Sequence, residues 1–336
     1  MKLASIEKIK SIIDHPNGEF LSIVTVLNYQ VIVKRNQFKV EDLVVFISPD
    51  TVLPDAEWAK FYKAKSSRVR AIKLRGVFSM GIVESPSIIQ YNTFLAEEGY
   101  EVSGILGITH YEPPLPQNLD AKGNLPHGIF KSDEERYQNL LNIPYGEIVD
   151  VTLKIDGSSL TAYCKEKTLE LETADWDYHY DTGITTRSMD LKLDAVNNYT
   201  IIAKKIDILN KLTHFCNKFK VNLALRGEIY GGGIQAGPVN PHAKLPLGFA
   251  LFSVLNLDTL NYEGTEGLFY YEKVAEILNI ETVPMLEKGV ILTPELIKKY
   301  DEELTEINGQ PFEGVVIKLK NGGSFKVINK HYDSKK

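Results

Sequence analysis

A lysine at residue 154 stands where a strand-forming run meets a tight turn. Residues 151–160 read VTLKIDGSSL, in which Asp156-Gly157 is a turn signal before a second strand-like run, TAYCKEK. A strand lysine that points at water would explain Lys154. A reactive amine held at the end of a strand would also explain it, because a free lysine amine attacks phosphorus. The short motif cannot decide, since K-x-D-G occurs by chance in roughly one chain in ten.

Carboxylates follow downstream in strand-like segments. Glu228 lies in LRGEIYG and Glu313 lies in FEGVVIK. Mg²⁺ prefers oxygen ligands and keeps several of its waters, so carboxylates can hold it directly or through water. We therefore predict that Asp156, Glu228 and Glu313 are the ligands of Mg²⁺ or Mn²⁺.

Two further lysines stand in strand-like segments after Glu313. Lys318 ends FEGVVIK, and Lys326 lies in SFKVIN. Their positive charges would lower the pKa of Lys154 and so favour its reactive form. They would also neutralise a phosphate as its charge shifts toward a leaving group. We predict Lys154 as the nucleophile, with Lys318 and Lys326 as further catalytic residues.

Taken in order, these motifs resemble those of the covalent nucleotidyltransferase superfamily, which includes ATP-dependent polynucleotide ligases and mRNA capping enzymes. The resemblance spans residues 127–330. The segments similar to the family's motifs are Lys154-Ile155-Asp156-Gly157 (the first motif), Arg187 in TTRS, Arg226-Gly227-Glu228 (the third motif), Leu251-Phe252-Ser253, the run EGVVIK from Glu313 to Lys318 (the fourth motif), and Ser324-Phe325-Lys326-Val327 (the fifth motif).

The resemblance implies ATP as the nucleotide and a set of residues that bind it. Phe252 would stack on adenine, although its residue type alone favours core packing. Glu228 would accept hydrogen bonds from ribose hydroxyls if it does not bind the metal. The segment IFKSDEERYQN would bring Lys131 and Arg136 near the nucleotide, although a helix start capped by Ser132 explains SDEE equally well. The implied nucleotide-binding residues are Leu153, through its backbone, and Arg187, Glu228, Phe252 and Lys131.

The first 110 residues or so predict a small antiparallel barrel with short strands separated by Gly, Pro and Asn turns. Residues 60–75, the basic segment, carry seven Lys or Arg residues and no acidic residue, with aromatic side chains nearby. A solvated strand face would explain this composition, and so would contact with a nucleic-acid backbone. RAIKLRGVFSMGIV also resembles the RGxxSxG turn of OB-fold nucleic-acid-binding domains. We predict nucleic-acid contacts by Arg68, Arg70, Lys73 and Arg75.

The predicted fold is α+β, with an N-terminal OB-like β-barrel followed by a nucleotidyltransferase domain of antiparallel sheets and helices. The predicted domain limits are 1–112 for the barrel and 127–336 for the second domain. Between them, residues 113–126 form a proline-rich joint that is unsuited to a regular helix or a central strand. Helices are expected around 190–220, 270–279 and 294–306.

The domain order distinguishes between members of the superfamily. An OB domain follows the fifth motif in many ligases and capping enzymes, whereas here the OB-like module comes first. This order resembles the RNA ligases that seal 3′-OH/5′-phosphate nicks in duplex RNA, through a lysyl-AMP and then an RNA-adenylate. The expected partner is therefore nicked or broken RNA. One departure is the fifth motif, where Val327 and Ile328 follow Lys326 and a second lysine is missing; Lys318 or Lys330 would have to compensate.

Three alternatives stay open at this point. The first is a ligase of DNA or mixed strands, and the second is a GTP-using capping guanylyltransferase. The third is a non-catalytic nucleic-acid-binding protein, which the intact motif residues disfavour. Sealing of all-DNA nicks would indicate the DNA ligase, and labelling with GTP would indicate the capping enzyme. Absence of labelling by any nucleotide would indicate the non-catalytic protein.

Composition narrows the class of protein. A net charge of −6 argues against indiscriminate coating of nucleic acid. The two cysteines lack CxxC spacing, so neither a disulfide framework nor a cysteine zinc site is supported. No stretch approaches the ~18 apolar residues that span a bilayer. A metal site in DWDYHYD, residues 175–181, is disfavoured against a solvated loop. We expect an intracellular protein with no membrane partner, monomeric by default.

Overall fold

The computed structural model describes residues 2–89, 97–111, 121–131, 134–167 and 180–336. Ser132, the prolines at 113–116 and residues 175–179 of the acidic run lie outside them.

The chain forms two compact units. The first contains residues 1–114, 135–143 and 333–335, and the second contains 115–134, 144–332 and 336. Two segments that the sequence prediction assigns to the second domain, 135–143 and 333–335, thus group with the first unit. The predicted limits at 112 and 127 stay a prediction.

The first unit is built around an antiparallel sheet with the strand order β3-β2-β1-β4-β8, a pairing of β5 with β9, and a hairpin of β6 and β7. Two short helices accompany it, α1 (Lys60–Lys63) and α2 (Ser103–Leu106). The strands are β1 (Ala4–Asp14), β2 (Leu21–Val26), β3 (Tyr29–Lys34), β4 (Leu43–Ile47), β5 (Thr51–Val52), β6 (Ile72–Leu74), β7 (Val77–Ser79), β8 (Ile82–Glu84) and β9 (Thr109–His110).

This sheet nearly closes into a barrel. In β3 the alternate residues Tyr29, Val31 and Val33 are buried, which is the period expected of a strand with one face on a core. Gln30 links β3 to the chain around β7 and β8, at the other end of the strand order. Its main-chain carbonyl accepts from Met80 N at 2.8 Å, and its side-chain Nε2 donates to Phe78 O at 2.7 Å. The predicted OB-like barrel is confirmed.

The second unit contains two antiparallel sheets and several helices. Its helices are α3 (Asn198–Lys205), α4 (Ile208–Phe219), α5 (Tyr271–Leu278), α6 (Pro294–Lys298) and α7 (Lys330–Asp333), whose last residue groups with the first unit. The strands from residue 121 onward are β10 (Ala121–Asn124), β11 (Glu135–Arg136, in the first unit), β12 (Ile148–Lys154), β13 (Ser158–Glu166), β14 (Tyr180–Thr185), β15 (Met189–Leu191), β16 (Leu223–Tyr230), β17 (Gly248–Asn256), β18 (Asn261–Tyr262), β19 (Met285–Ile291), β20 (Gly314–Leu319) and β21 (Ser324–Ile328).

The larger sheet has the strand order β10-β15-β14-β13-β16-β17-β18. Part of the predicted joint forms β10, which lies at the edge of this sheet and so agrees with the exclusion of a central strand. Helix α4 buries Ile208, Leu212, Phe215 and Cys216, the i, i+4, i+7, i+8 stripe of an amphipathic helix, in the main core cluster of the unit. This core fixes β13 and β16, which carry part of the site described below.

The other sheet places β21, β20, β12 and β19 side by side in that order. The three predicted helical regions are confirmed, and in the third a π-helical turn, Lys299–Glu303, continues α6. Within the described ranges, the helices are all too short or too polar to cross a membrane.

Candidate active site

Lys154 is the last residue of β12, and its ammonium group is paired with Glu313. In the antiparallel pairing of β12 with β20, Lys154 lies opposite Gly314, the residue that follows Glu313. Lys154 Nζ donates to Glu313 Oε2 at 2.7 Å, and the side chains of the two residues are 22% and 14% exposed. The pairing of two strands therefore joins the first and fourth motifs, which are 159 residues apart.

Lys318 and Lys326 lie on the same face of the sheet as Lys154. Successive residues of a strand point to opposite faces, so Gly314, Val316 and Lys318 of β20 share one face. Lys326 of β21 lies opposite Val316 and joins them. Lys318 and Lys326 are only 6% and 8% exposed. We call Lys154, Lys318 and Lys326 the charged face.

Lys318 is directed at a main-chain carbonyl. Its Nζ donates to Phe252 O at 2.6 Å and lies 4.9 Å from the centroid of the Tyr271 ring. Burial lowers the pKa of Lys318 to about 8, against the opposing effect of the negative charges of Glu134 and Asp150. Its predicted role beside a phosphate stays a prediction.

The turn after Lys154 carries the chain against strand β16. A β-carbon on Gly157 would lie 2.3 Å from Ile229 O and 2.8 Å from Glu228 Cγ, so only glycine fits. The chain then enters β13, in which Ser159 pairs with Glu228 of β16. The Asp-Gly turn thus brings the nucleophile strand and the Glu228 strand together.

Glu228 lies in a negatively charged environment. The pKa of Glu228 is raised to about 8, mainly by burial and also by the charges of Glu313, Asp156 and Glu134, while the Lys154 charge opposes the change. Carboxylates that raise one another's pKa in this way favour a bound cation. Glu228 therefore lies within electrostatic reach of Lys154 and of the other two predicted metal ligands.

The geometry does not form a ready metal cage. In the part of the chain that the structure describes, no three His, Cys, Asp or Glu side chains are arranged to hold an ion. The donors instead fit an ion of the Mg²⁺ type, which keeps several waters and takes one or two carboxylates together with substrate phosphates. Asp156, Glu228 and Glu313 as ligands stay a prediction.

Sequence reasoning missed three residues that hold Asp156. Its Oδ2 accepts from Tyr332 Oη at 2.8 Å, its Oδ1 accepts from Lys336 Nζ at 2.7 Å, and its carbonyl accepts from Asn240 Nδ2 at 2.9 Å. Nothing in the local sequence pattern signals these contacts, because tertiary packing brings the residues together.

Lys330 is one of the two lysines considered as a substitute for the missing second lysine of the fifth motif. Its partners do not belong to the charged face. Its Nζ lies 2.7 Å from Asp301 Oδ2 and 3.3 Å from Glu302 Oε2, on the π-helical turn. These contacts direct its side chain toward that turn.

Phe252 occupies a β-bulge. In the pairing of β16 with β17, Arg226 lies opposite Ser253 and Gly227 lies opposite Leu251, so Phe252 has no cross-strand partner in the ladder. The ring is half-buried against the main core cluster of the unit. Stacking of Phe252 on adenine stays a prediction.

Leu153 precedes the nucleophile in β12 and uses its backbone amide within the fold. The Leu153 N–H donates to Pro284 O at 2.9 Å, and its side chain packs against the main core cluster of the unit. Reading of the adenine edge by the Leu153 backbone stays a prediction.

Arg187 and Arg226 line one small pocket in the second unit. Thr161 and Thr185, on neighbouring strands, line the same pocket. The lining combines these guanidinium and hydroxyl groups with apolar side chains such as Ile129 and Phe130. The fold thus brings Arg187 close to Arg226, the third-motif arginine on β16.

Lys131 follows a segment that also lines this pocket. The Arg226 guanidinium donates to the carbonyl of Phe130, the preceding residue, and Phe130 is a lining residue. Nucleotide binding by Lys131 stays a prediction.

In the first unit, Arg68 has an acidic partner. Its guanidinium lies 2.7 Å from Asp50 Oδ1 and 4.2 Å from the centroid of the Tyr111 ring. Asp50 also accepts from Arg136, a buried residue of segment 135–143. These contacts give Arg68 a structural role, and its contact with nucleic acid stays a prediction.

The other three predicted nucleic-acid residues lie on or near the β6–β7 hairpin. Lys73 and Arg75 are exposed, and Arg70 is half-buried. Lys73 Nζ lies 5.0 Å from the centroid of the Phe78 ring, and Arg75, at the hairpin turn, donates to Asn17 O at 3.3 Å. The hairpin therefore presents positive charge to solvent.

Comparison with known proteins agrees with both units. An OB-fold domain family matches residues 3–86, and the RNA ligase family matches residues 147–330, more than half of the chain. No curated protein sequence matches this chain.

Solved structures of an RNA ligase from Naegleria gruberi are similar over nearly the whole chain. One mutant with ATP and Mn is 27% identical, with a TM-score of 0.80, 98% of this chain covered and 97% of that one. A second mutant with AMP and Mn is 26% identical, with a TM-score of 0.79 and coverage of 100% and 99%. The ligase with PPi is 27% identical, with a TM-score of 0.78 and coverage of 99% and 98%. The chain belongs to the RNA ligase family, with an OB-fold domain preceding the ligase domain.

Proposed function

We propose that this chain is an ATP-dependent RNA ligase that joins 3′-OH and 5′-phosphate ends at nicks in duplex RNA, through a lysyl-AMP and an RNA-adenylate. The observation that carries this proposal is the pairing of Lys154 Nζ with Glu313 Oε2 at 2.7 Å. Glu228 lies close enough for the Lys154 charge to act on its pKa.

In the first step, the Lys154 amine attacks the α-phosphorus of ATP. A nitrogen–phosphorus bond forms, the bond to pyrophosphate breaks, and a proton leaves Lys154. Glu313 Oε2 orients the amine and is an acceptor within hydrogen-bond distance of its nitrogen. The solved states of the Naegleria ligase, with ATP and Mn, with AMP and Mn, and with PPi, contain the nucleotide reactant, the group that would be transferred and the leaving group of such a step.

Lysines on the charged face and a divalent metal would stabilise the charge that develops on the phosphate. Lys326 supplies a fixed positive charge, and Lys318 adds a second one if it leaves the Phe252 carbonyl. Asp156, Glu228 or Glu313 would hold Mg²⁺ or Mn²⁺, and the ion would help neutralise the phosphate charge. Phe252, Leu153, Arg187 and Lys131 would hold the nucleotide.

In the later steps, AMP moves to the 5′-phosphate of the broken strand, and the 3′-OH attacks that phosphorus and releases AMP. The exposed Lys73 and Arg75 of the β6–β7 hairpin, together with Arg70, would bind the phosphate backbone. A preference for RNA would come from its A-form geometry and 2′-hydroxyls.

Labelling with α-³²P-ATP in Mg²⁺ or Mn²⁺ tests the first step. Wild-type protein should become labelled, and Lys154→Ala should not. Lys165→Ala on β13, the next strand along the chain, is the matched control and should label like wild type. Equal labelling of Lys154→Ala and wild type would overturn the proposal.

Sealing of nicked duplexes with RNA or DNA 3′-OH strands tests the substrate. We expect sealing only with the RNA 3′-OH strand. Equal sealing of all-DNA nicks would point to a DNA repair ligase, and labelling by GTP rather than ATP would point to a capping enzyme.

A further inference from the structure

Two side chains beyond the RNA ligase family match, which ends at residue 330, contact the turn that follows Lys154. Both oxygens of the Asp156 carboxylate are occupied: Oδ2 accepts from Tyr332 Oη at 2.8 Å, and Oδ1 accepts from Lys336 Nζ at 2.7 Å. Asp156 and Tyr332 are 5% and 3% exposed, so their contact is shielded from water. A hydrogen bond to a buried carboxylate is among the stronger ones in proteins.

The segment that carries Tyr332 is itself fixed by buried polar contacts. Asn329 is fully buried, and its Nδ2 donates to Tyr300 O at 3.1 Å and to Leu304 O at 2.7 Å. The Asn329 Oδ1 accepts from Tyr332 N at 3.1 Å, and the Asn329 N–H donates to Glu313 O at 2.9 Å. Tyr332 is therefore anchored to the same piece of chain that carries Glu313, the partner of Lys154.

The other side of the turn is also held. Asn240 is buried, and its Nδ2 donates to the Asp156 carbonyl at 2.9 Å. With the carbonyl and both carboxylate oxygens bound, rotation of the peptide or of the side chain of Asp156 would break at least one buried hydrogen bond. The position of the turn relative to Lys154 and Glu313 thus depends on these contacts.

We propose that Tyr332 is a positioning residue for the attack of Lys154: its hydroxyl fixes the Asp156 carboxylate and the turn that follows the nucleophile. The inference rests on the proposed function, because it concerns the step that forms lysyl-AMP. Tyr332 acts through Asp156 and takes no part in bond formation.

Lys336 supports the same carboxylate less strongly. Its side chain is 28% exposed, and its Nζ also lies 3.7 Å from Glu313 Oε1. It thereby bridges Asp156 and Glu313, but solvent screens the contact more than that of Tyr332.

The test compares Tyr332→Phe with Tyr300→Phe in single-turnover labelling by α-³²P-ATP. Tyr300 is a matched control, because it is equally buried at 3% and its hydroxyl donates to another carboxylate, Glu287 Oε1, at 2.6 Å. The rate constant reports the chemical step, whereas the labelled fraction reports how many molecules are folded and competent. Thermal unfolding of both variants measures the loss of stability.

We expect Tyr332→Phe to label fully with a rate constant about 10- to 100-fold below wild type, the range that follows from losing one hydrogen bond to a charged group. Tyr300→Phe should keep the wild-type rate constant at a comparable loss of stability. Lys336→Ala should slow labelling about two- to fivefold, as expected of a partly screened ion pair, and the exposed Lys335→Ala should not slow it.

A wild-type rate constant in Tyr332→Phe would overturn the inference. A lower labelled fraction at an unchanged rate constant would also overturn it, because that result indicates a purely structural role. Failure of the wild-type protein to label would instead count against the proposed function, so the two failures are distinguishable.

Discussion

The charged face of the second unit and the basic segment of the first unit are both rich in lysine or arginine, but they differ in how far these side chains are buried. Lys318 and Lys326 are almost fully buried on a sheet, and Lys154 is paired with Glu313. In the basic segment, Lys73 and Arg75 are exposed. Burying a charge is costly unless it is paired, so a buried lysine indicates a specific task more strongly than an exposed one does.

The two regions also differ in the sequence signal that predicts them, ordered motifs in one and charge density in the other. On the charged face, the order of short motifs predicts residues that meet in space. In the basic segment, charge density alone predicts binding, and at Arg68 it does not reveal the Asp50 partner. We therefore expect substitutions on the charged face to alter chemistry, and substitutions on the basic hairpin to alter RNA affinity.

The largest effect is expected for Lys326→Ala. Loss of a buried positive charge that stabilises a transition-state phosphate should slow labelling by about 100- to 1000-fold. Lys320→Ala is the matched control. Lys320 lies in the connection between β20 and β21, its side chain is 44% exposed, and it pairs with Glu266. Labelling of Lys326→Ala at the rate of the control would remove Lys326 from the proposed site.

The next effect concerns the turn that joins the two strands of the site. Gly157→Ala places a β-carbon 2.3 Å from Ile229 O, and we expect it to lower the free energy of unfolding by about 1–3 kcal/mol. Gly123→Ala has open space around its β-carbon and should change that free energy by less than about 0.5 kcal/mol. Urea unfolding of both variants measures the difference, and equal stability would contradict the close approach.

A pH dependence follows from Glu228. Its pKa rises from the ordinary 4.5 to about 8, so between these values the folded chain binds more protons at this site than the unfolded chain. The contribution of this group to stability therefore falls as pH rises from about 4.5 to 8. Without divalent metal, Glu228→Gln should gain stability relative to wild type as pH rises through this window. Thermal unfolding measures the gain, with the exposed Glu276→Gln as control; parallel curves for wild type and Glu228→Gln would contradict it.

The smallest effect is expected on the basic hairpin. A double change of Lys73 and Arg75 to alanine should weaken RNA binding roughly 3- to 10-fold and flatten its salt dependence, because phosphate contacts release counterions. Labelling by ATP should not change. The control changes Lys34 and Lys39, exposed lysines outside the segment. Unchanged salt dependence in the Lys73 and Arg75 variant would exclude the hairpin from RNA binding.

Much of the fold follows from local pattern. Alternating burial in β3 and the stripe of α4 have the periods expected of a strand and an amphipathic helix. The ordered motifs also predict that Lys154 and Glu313 share a site, and the two are in contact.

The remaining features depend on pairings that local pattern does not encode. Tyr332 and Asp156 are 176 residues apart in sequence, and Lys336 and Asp156 are 180 residues apart. The direction of Lys318 toward the Phe252 carbonyl depends on a contact between β20 and β17, which are strands of two different sheets. Such contacts arise from tertiary packing, so residue type and spacing could not predict them.

Peptide mapping of the AMP adduct tests the central claim most directly. Wild-type protein incubated with ATP and Mn²⁺ is digested, and the peptide that carries the adduct is sequenced by mass spectrometry. We predict one AMP on Lys154, released by acid as a phosphoramidate bond requires. An adduct on Lys326, Lys336 or any other residue, or no adduct at all, would contradict Lys154 as the nucleophile.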